Sequence, residues 1–146
     1  MRLYFDAAYV AKYYINETDS DLVRDLAESA TGLYTSSWSI AEFACVLHRK
    51  VREKALTTAQ ANKLRGFFLE DIRSGGWILL PVSEQVLYRV DTFASTIPPD
   101  IYIRSGDALH IITARSAGFT ELWTNDRHLL KAASLAGIEG RACDPS

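Results

Sequence analysis

Apolar residues recur along the chain in two rhythms: short unbroken runs, and longer stretches with an apolar face every three or four residues. Residues 3–5, Leu-Tyr-Phe, form the first run and end on Asp6, which predicts a buried strand opening the domain. Residues 8–15 carry Val10, Tyr13 and Tyr14 at helical spacing, and residues 19–30 predict a second helix buried along Leu22, Leu26 and Ala30. Gly32 is expected to stop that helix in a left-handed conformation. A strand over 33–36 leads into a long helix over 39–54, with Ile40, Phe43, Val46, Leu47 and Val51 facing inward. The helix over 58–74 has an inner face of Ala61, Leu64, Phe68, Leu69 and Ile72, a threonine at 57 or 58 as cap, and Gly75-Gly76 as its stop. Residues 77–82, Trp-Ile-Leu-Leu-Pro-Val, read as the third strand, with Pro81 at its end, where a missing N–H does least harm. A helix over 84–96, a Pro98-Pro99 loop, an apolar helix over 106–117, a strand over 120–124 and a helix over 127–136 complete the pattern; Ile138 begins a short last segment.

Strands and helices alternate, and the strands are short and apolar rather than alternating in polarity. That is the signature of an α/β fold with a short central parallel sheet covered by helices on both faces, a three-layer α/β/α arrangement. No repeat, linker or low-complexity tract divides the chain, so residues 1–146 are expected to form one domain. The net charge of −2 gives no global basic field, and a nucleic-acid partner would need a local basic patch or metal ions. The start lacks a long apolar leader core, and no run approaches the roughly 18 apolar residues of a membrane span, which points to a cytoplasmic protein without a membrane partner. Cys45 and Cys143 are far apart and read as a buried thiol and a terminal one, not a disulfide.

Four acids give this layout a chemistry. Functional groups of an open parallel sheet gather at the carboxyl ends of its strands. Asp6 follows the first strand, Asp126 the fourth, and Glu42 lies early in the helix after the second. Asp107 begins the helix before the fourth strand, and its arrival at the same edge depends on the loop after Pro98-Pro99. Carboxylate oxygens suit a hard cation such as Mg²⁺ or Mn²⁺, and clustered carboxylates repel one another unless protonated or bridged. Each acid also has a purely structural explanation: Asp6 as a turn or cap, Glu42 in a Ser39-x-x-Glu42 capping box, Asp107 on a helix dipole, Asp126 as an N-cap. Four of them reaching one edge is what favours a metal site.

Four segments, LYFDAAYVAKYY, SSWSIAEF, RSGDALHIITARSAG and LWTNDRHLLKAASLAGI, resemble in order and spacing the PIN-domain nucleases. In size and layout the chain looks like a VapC-type toxin of a toxin–antitoxin pair. The resemblance spans essentially the whole chain and implies a metal site of Asp6, Glu42, Asp107 and Asp126 with Mg²⁺ or Mn²⁺. It further implies single-strand RNA cleavage by metal-activated water, a homodimer, and inhibition by a cognate antitoxin. One departure stands out. The family often carries a hydroxyl two places after its first aspartate, where this chain has Ala8; Thr124, Ser37 or Ser39 are the candidates to supply it.

Other residues carry two readings each. His110, one turn after Asp107, is a core-edge or metal-supporting histidine, against a metal ligand or acid–base group; His48 and His128 read as surface. Arg104 either pairs with an acid of the site or touches substrate phosphate, against a solvated role. Arg49, Lys50, Arg52 and Lys54 offset the dipole of their helix or bind RNA backbone, and their distance along the helix from Glu42 argues against contact at the centre. Tyr9, Tyr13 and Tyr14 stack on bases, meet a partner, or pack against helix 19–30. The competing functions are a catalytically weak or inactive binding protein of the same fold and a nuclease of DNA or RNA maturation without an antitoxin. A phosphate-transfer receiver domain would want paired early aspartates and a late lysine, which the chain lacks.

Overall fold

The computed structural model describes residues 1–143. Five short strands, β1 (Arg2–Tyr4), β2 (Gly32–Ser36), β3 (Ile78–Leu80), β4 (Glu121–Trp123) and β5 (Glu139–Arg141), all pair in parallel. β1, β2 and β3 form one ladder and β4 and β5 another. A parallel bridge between Phe5 and Trp123, with Asp6 N–H donating to the Trp123 carbonyl at 3.1 Å, joins them in the order 3-2-1-4-5. Helices α1 (Ala7–Tyr14), α2 (Ser20–Ser29), α3 (Trp38–Arg52) and α4 (Thr58–Arg73) cover one face. Helices α5 (Glu84–Thr96), α6 (Ser105–Ser116) and α7 (Arg127–Ala133) cover the other, which makes the three-layer arrangement the strand pattern predicts. No helix among the described residues is long and apolar enough to cross a membrane.

Alternation along β1 builds both cores. Leu3 and Phe5 point toward the α1–α4 side with Tyr9, Phe43, Phe68 and Trp77, whereas Tyr4 points into the α5–α7 side with Ile111, Leu122 and Leu129. Helix ends follow local chemistry. Thr57 closes a capping box with Gln60 at the start of α4, and Ser83 accepts from Val86 N–H at the start of α5. Gly137 takes φ +75° after the turn that ends α7, a conformation glycine adopts without steric cost.

Four expectations need correction. α2 buries Val23 and Ala27, with Leu26 and Ala30 packed partly against the same core, while Leu22 is exposed. Its phase is set by Ser20, which is buried, donates to the Ile15 carbonyl and accepts from Glu17 N–H, so the inner stripe runs 20, 23, 27. Gly32 is not the stop of α2: that helix ends at Ser29, and Gly32 pairs with Arg2 in β2 without a positive φ. Cys45 is exposed, because α3 turns Phe43 and Leu47 into the core and leaves position 45 on the flank. Ile40 of α3 and Leu69 of α4, expected on inner faces, also lie outside.

Candidate active site

Chain order alone brings Asp6 and Asp126 to the carboxyl edge of the sheet, because β1 and β4 are neighbours there. Asp6 caps α1, its Oδ1 accepting from Tyr9 N–H at 2.9 Å, and is only 4% exposed. Asp126 caps α7, accepting from His128 N–H at 2.8 Å. Asp107 occupies the first turn of α6, 7% exposed, with its Oδ2 accepting from the Arg104 backbone N–H. Glu42 lies in the second turn of α3. The loop after Pro98-Pro99 does deliver the start of α6 to this edge: all four acids line one cleft of about 480 Å³. Gly106 keeps the space open, since a Cβ there would stand 3.3 Å from Glu42 Oε2.

The Ser39–Glu42 capping box does not form. α3 starts one residue earlier, and the Ser39 hydroxyl is buried against Thr35 Oγ1 at 2.6 Å. Glu42 is thereby left free of helix capping, and its Oε1 lies 2.6 Å from His110 Nε2. The other ring nitrogen, Nδ1, is 2.8 Å from the Tyr4 hydroxyl. Burial, then the charges of Asp6 and Glu42, push the Tyr4 phenol well above its ordinary range, so it stays a neutral hydroxyl bonded to Nδ1. The imidazole thus bridges the Tyr4 hydroxyl and the Glu42 carboxylate through its two nitrogens. His110 is therefore a buried link between the core and an acid.

Arg104 pairs with two acids: Nη2 lies 2.6 Å from Asp126 Oδ2, and Nε 3.3 Å from Asp107 Oδ2. The hydrogen bond with Asp107, and then its charge, raise the guanidinium pKa further. Burial pushes the Asp6 carboxyl up to about 6, while His110, Thr124 and the Tyr9 N–H work against that rise.

An all-carboxylate donor set suits a hard divalent cation and no softer one. Among the described residues, however, no three acidic, histidine or cysteine side chains are drawn together as a ready-made ligand group. The cause is visible in the pairing: Glu42 is turned to His110, and the Arg104 guanidinium stands between Asp107 and Asp126. The donor chemistry fits Mg²⁺ or Mn²⁺, with one position of positive charge taken by the chain itself.

Of the candidate hydroxyls, only Thr124 stands among the acids, buried, its Oγ1 accepting from Asp126 N–H at 3.0 Å. Ser37 accepts from Val82 N–H and ties α3 to the end of β3, and Ser39 is committed to Thr35, so neither replaces the hydroxyl missing at Ala8. Tyr9, Tyr13 and Tyr14 are built into the α1–α4 core; Tyr14 packs on Phe43 and Phe68 rather than on α2, and its hydroxyl donates to Asp71. His128 is exposed, as expected, with its ring against Tyr102.

Two cations of the cleft were not foreseen. Lys12 lines it from α1 and Arg49 from α3. The signal lay in helical spacing: Glu42, Cys45, Val46 and Arg49 recur at i, i+3, i+4 and i+7, so Arg49 shares a face with Glu42 despite lying two turns away. The expectation that the 49–54 basic cluster stays away from the centre therefore fails for Arg49. Burial works against the Lys12 charge, but hydrogen bonds to Asp19 and Glu17 outweigh it and raise its pKa.

Comparison with known proteins gives one family and a set of similar folds. The PIN domain family matches residues 3–135. No curated protein sequence matches the chain significantly. Among solved structures, Mycobacterium tuberculosis VapC20, described as a toxin that cleaves the sarcin–ricin loop, superposes with a TM-score of 0.69 at 16% identity, covering 93% of this chain and 95% of that one. A chain of VapBC2 from Rickettsia felis, bound to a DNA fragment from their promoter, superposes with a TM-score of 0.68 at 16% identity, covering 99% and 100%. At that identity the likeness is one of fold.

Proposed function

Because this chain belongs to the PIN domain family, we propose that it cleaves RNA as a divalent-metal-dependent endoribonuclease. The observation that carries the reading is the convergence of Asp6, Glu42, Asp107 and Asp126, from four separate elements, on one cleft. These four would hold Mg²⁺ or Mn²⁺. A cation so held supplies a Lewis acid for the phosphate and an activated water for the attack. The chain's own contribution is placement. The Tyr4–His110 pair fixes Glu42, Thr124 fixes the backbone at Asp126, and Lys12, Arg49 and Arg104 offset the repulsion between an acidic floor and an incoming phosphate strand. They are the positive charges of a cleft whose floor is acidic, in a chain of net charge −2.

The VapC-like fold over the full length supports a toxin role with a cognate antitoxin as partner; a homodimer as working unit belongs to the same proposal. A second reading, a PIN-fold binding protein without activity, is favoured by Arg104, which already neutralises two of the acids, and by the hydroxyl missing at Ala8. Cleavage of a mixed RNA panel in Mg²⁺, Mn²⁺ or EDTA separates the two. Cuts that require metal and disappear in Asp6→Asn and Asp107→Asn proteins of unchanged fold support the nuclease. Equal cleavage by wild type and both variants would sink it, and a well-folded, antitoxin-free protein that cuts nothing favours the binding protein.

A further inference from the structure

We propose that Arg104 is a placeholder cation, whose guanidinium bridges Asp107 and Asp126 in the metal-free protein and must leave for a divalent ion to enter. The inference rests on the assignment of these acids as metal ligands. The two contacts go to one oxygen of each acid, Oδ2 of Asp107 and Oδ2 of Asp126. A guanidinium is the side chain best shaped for this, because its planar fork reaches two carboxylates at once and stays charged.

Two features make Arg104 displaceable rather than structural. Its side chain is 56% exposed, so the head group can swing into water at little desolvation cost. Its backbone is held without the guanidinium: the carbonyl accepts from Ala108 N–H at 3.1 Å, and the N–H donates to the same Asp107 Oδ2. The side chain can therefore depart without unseating α6. The other cations of the cleft differ. Lys12 is only 12% exposed and committed to Glu17 and Asp19, and Arg49 pairs with Glu53 on its own helix. Neither has an ion pair with a candidate metal-binding acid among the described residues.

An exposed ion pair is weak, so Arg104 competes with the metal without blocking it. Calorimetric titration of Mn²⁺ into the chelator-stripped full chain tests this. R104Q and R104M should bind Mn²⁺ about two- to fivefold more tightly than wild type, the factor an exposed pair of ordinary strength is worth. R49Q, which removes a cleft cation not paired with Asp107 or Asp126, should shift affinity much less. In EDTA, R104Q should melt below wild type, with the gap narrowing as Mn²⁺ is added. Unchanged or weaker Mn²⁺ binding by both Arg104 variants overturns the placeholder role while wild-type binding leaves the metal site standing. An equal gain in R49Q also overturns it, because the effect would then be general charge. Absence of Mn²⁺ binding in every folded variant, wild type included, overturns both.

Discussion

Tyr4 and Asp6 lie two residues apart, and their different surroundings give them different tasks. Tyr4 reaches into the α5–α7 core, where its hydroxyl orients His110 and through it Glu42. Tyr4→Phe keeps the packing and leaves Nδ1 of a buried imidazole without a partner, which costs about 1–3 kcal/mol. Chemical denaturation should register that loss, and RNA cleavage should show a reduced kcat with KM little changed, since Glu42 is misplaced but the cleft is intact. Asp6 is buried with a carboxyl raised to about 6, against about 3.9 in an unfolded chain. Between those values the folded protein holds a proton that the unfolded one has released. Stability of the metal-free protein in EDTA should therefore fall as pH rises from about 4 to 6, and Asp6→Asn should flatten that part of the profile. A profile unchanged by the substitution would show that Asp6 titrates normally.

Elements carry the side chains into range. α3 offers one stripe, Phe43 and Leu47, to the core and another, Glu42, Cys45, Val46 and Arg49, to the cleft, so a single helix positions both an acid and a cation. The last strand is held differently, by close approach: a Cβ on Gly140 would stand 3.1 Å from the Leu130 Cα of α7 and 2.9 Å from its Cδ2. The backbone contact cannot be relieved by a rotamer change, so Gly140→Ala should destabilise by about 1–3 kcal/mol, seen as a lower melting temperature. α7 begins at Asp126, and displacement of that helix should also weaken Mn²⁺ binding. Thr57→Ala is the counterpart far from the cleft. It removes a capping box at a loss of about 0.5–2 kcal/mol, and RNA cleavage per folded molecule should not change.

At the scale of the whole molecule, the parallel order 3-2-1-4-5 puts β1 at the centre and the carboxyl ends of β1 and β4 side by side. Helix starts and acids gather at that edge, and the cations of α1, α3 and the α6 approach stand around it. An overall acidic chain thus presents a cleft of mixed charge. RNA affinity, measured with the Asp107→Asn protein, should fall with salt, and Arg49→Gln should reduce the log–log slope by about 0.7 if Arg49 meets one phosphate. An unchanged slope would remove Arg49 from the RNA path.

The sequence by itself determined the alternation of strands and helices, the parallel three-layer class and the acids Asp6, Glu42 and Asp126 near one sheet edge, because short-range periodicity and chain order control these. It put Leu22 on the inner face of α2, where Leu26 and Ala30 do pack, and missed Ser20, Val23 and Ala27, since a buried Ser20 bonded to Ile15 and Glu17 carries no hydrophobic signal. Tertiary structure alone decided that the loop after Pro98-Pro99 brings Asp107 to the other acids, that Tyr4 and Glu42 meet through His110, and that Arg104 lies between Asp107 and Asp126. Those contacts join residues up to 106 positions apart, and no local pattern of apolar and polar residues encodes a distance of that kind.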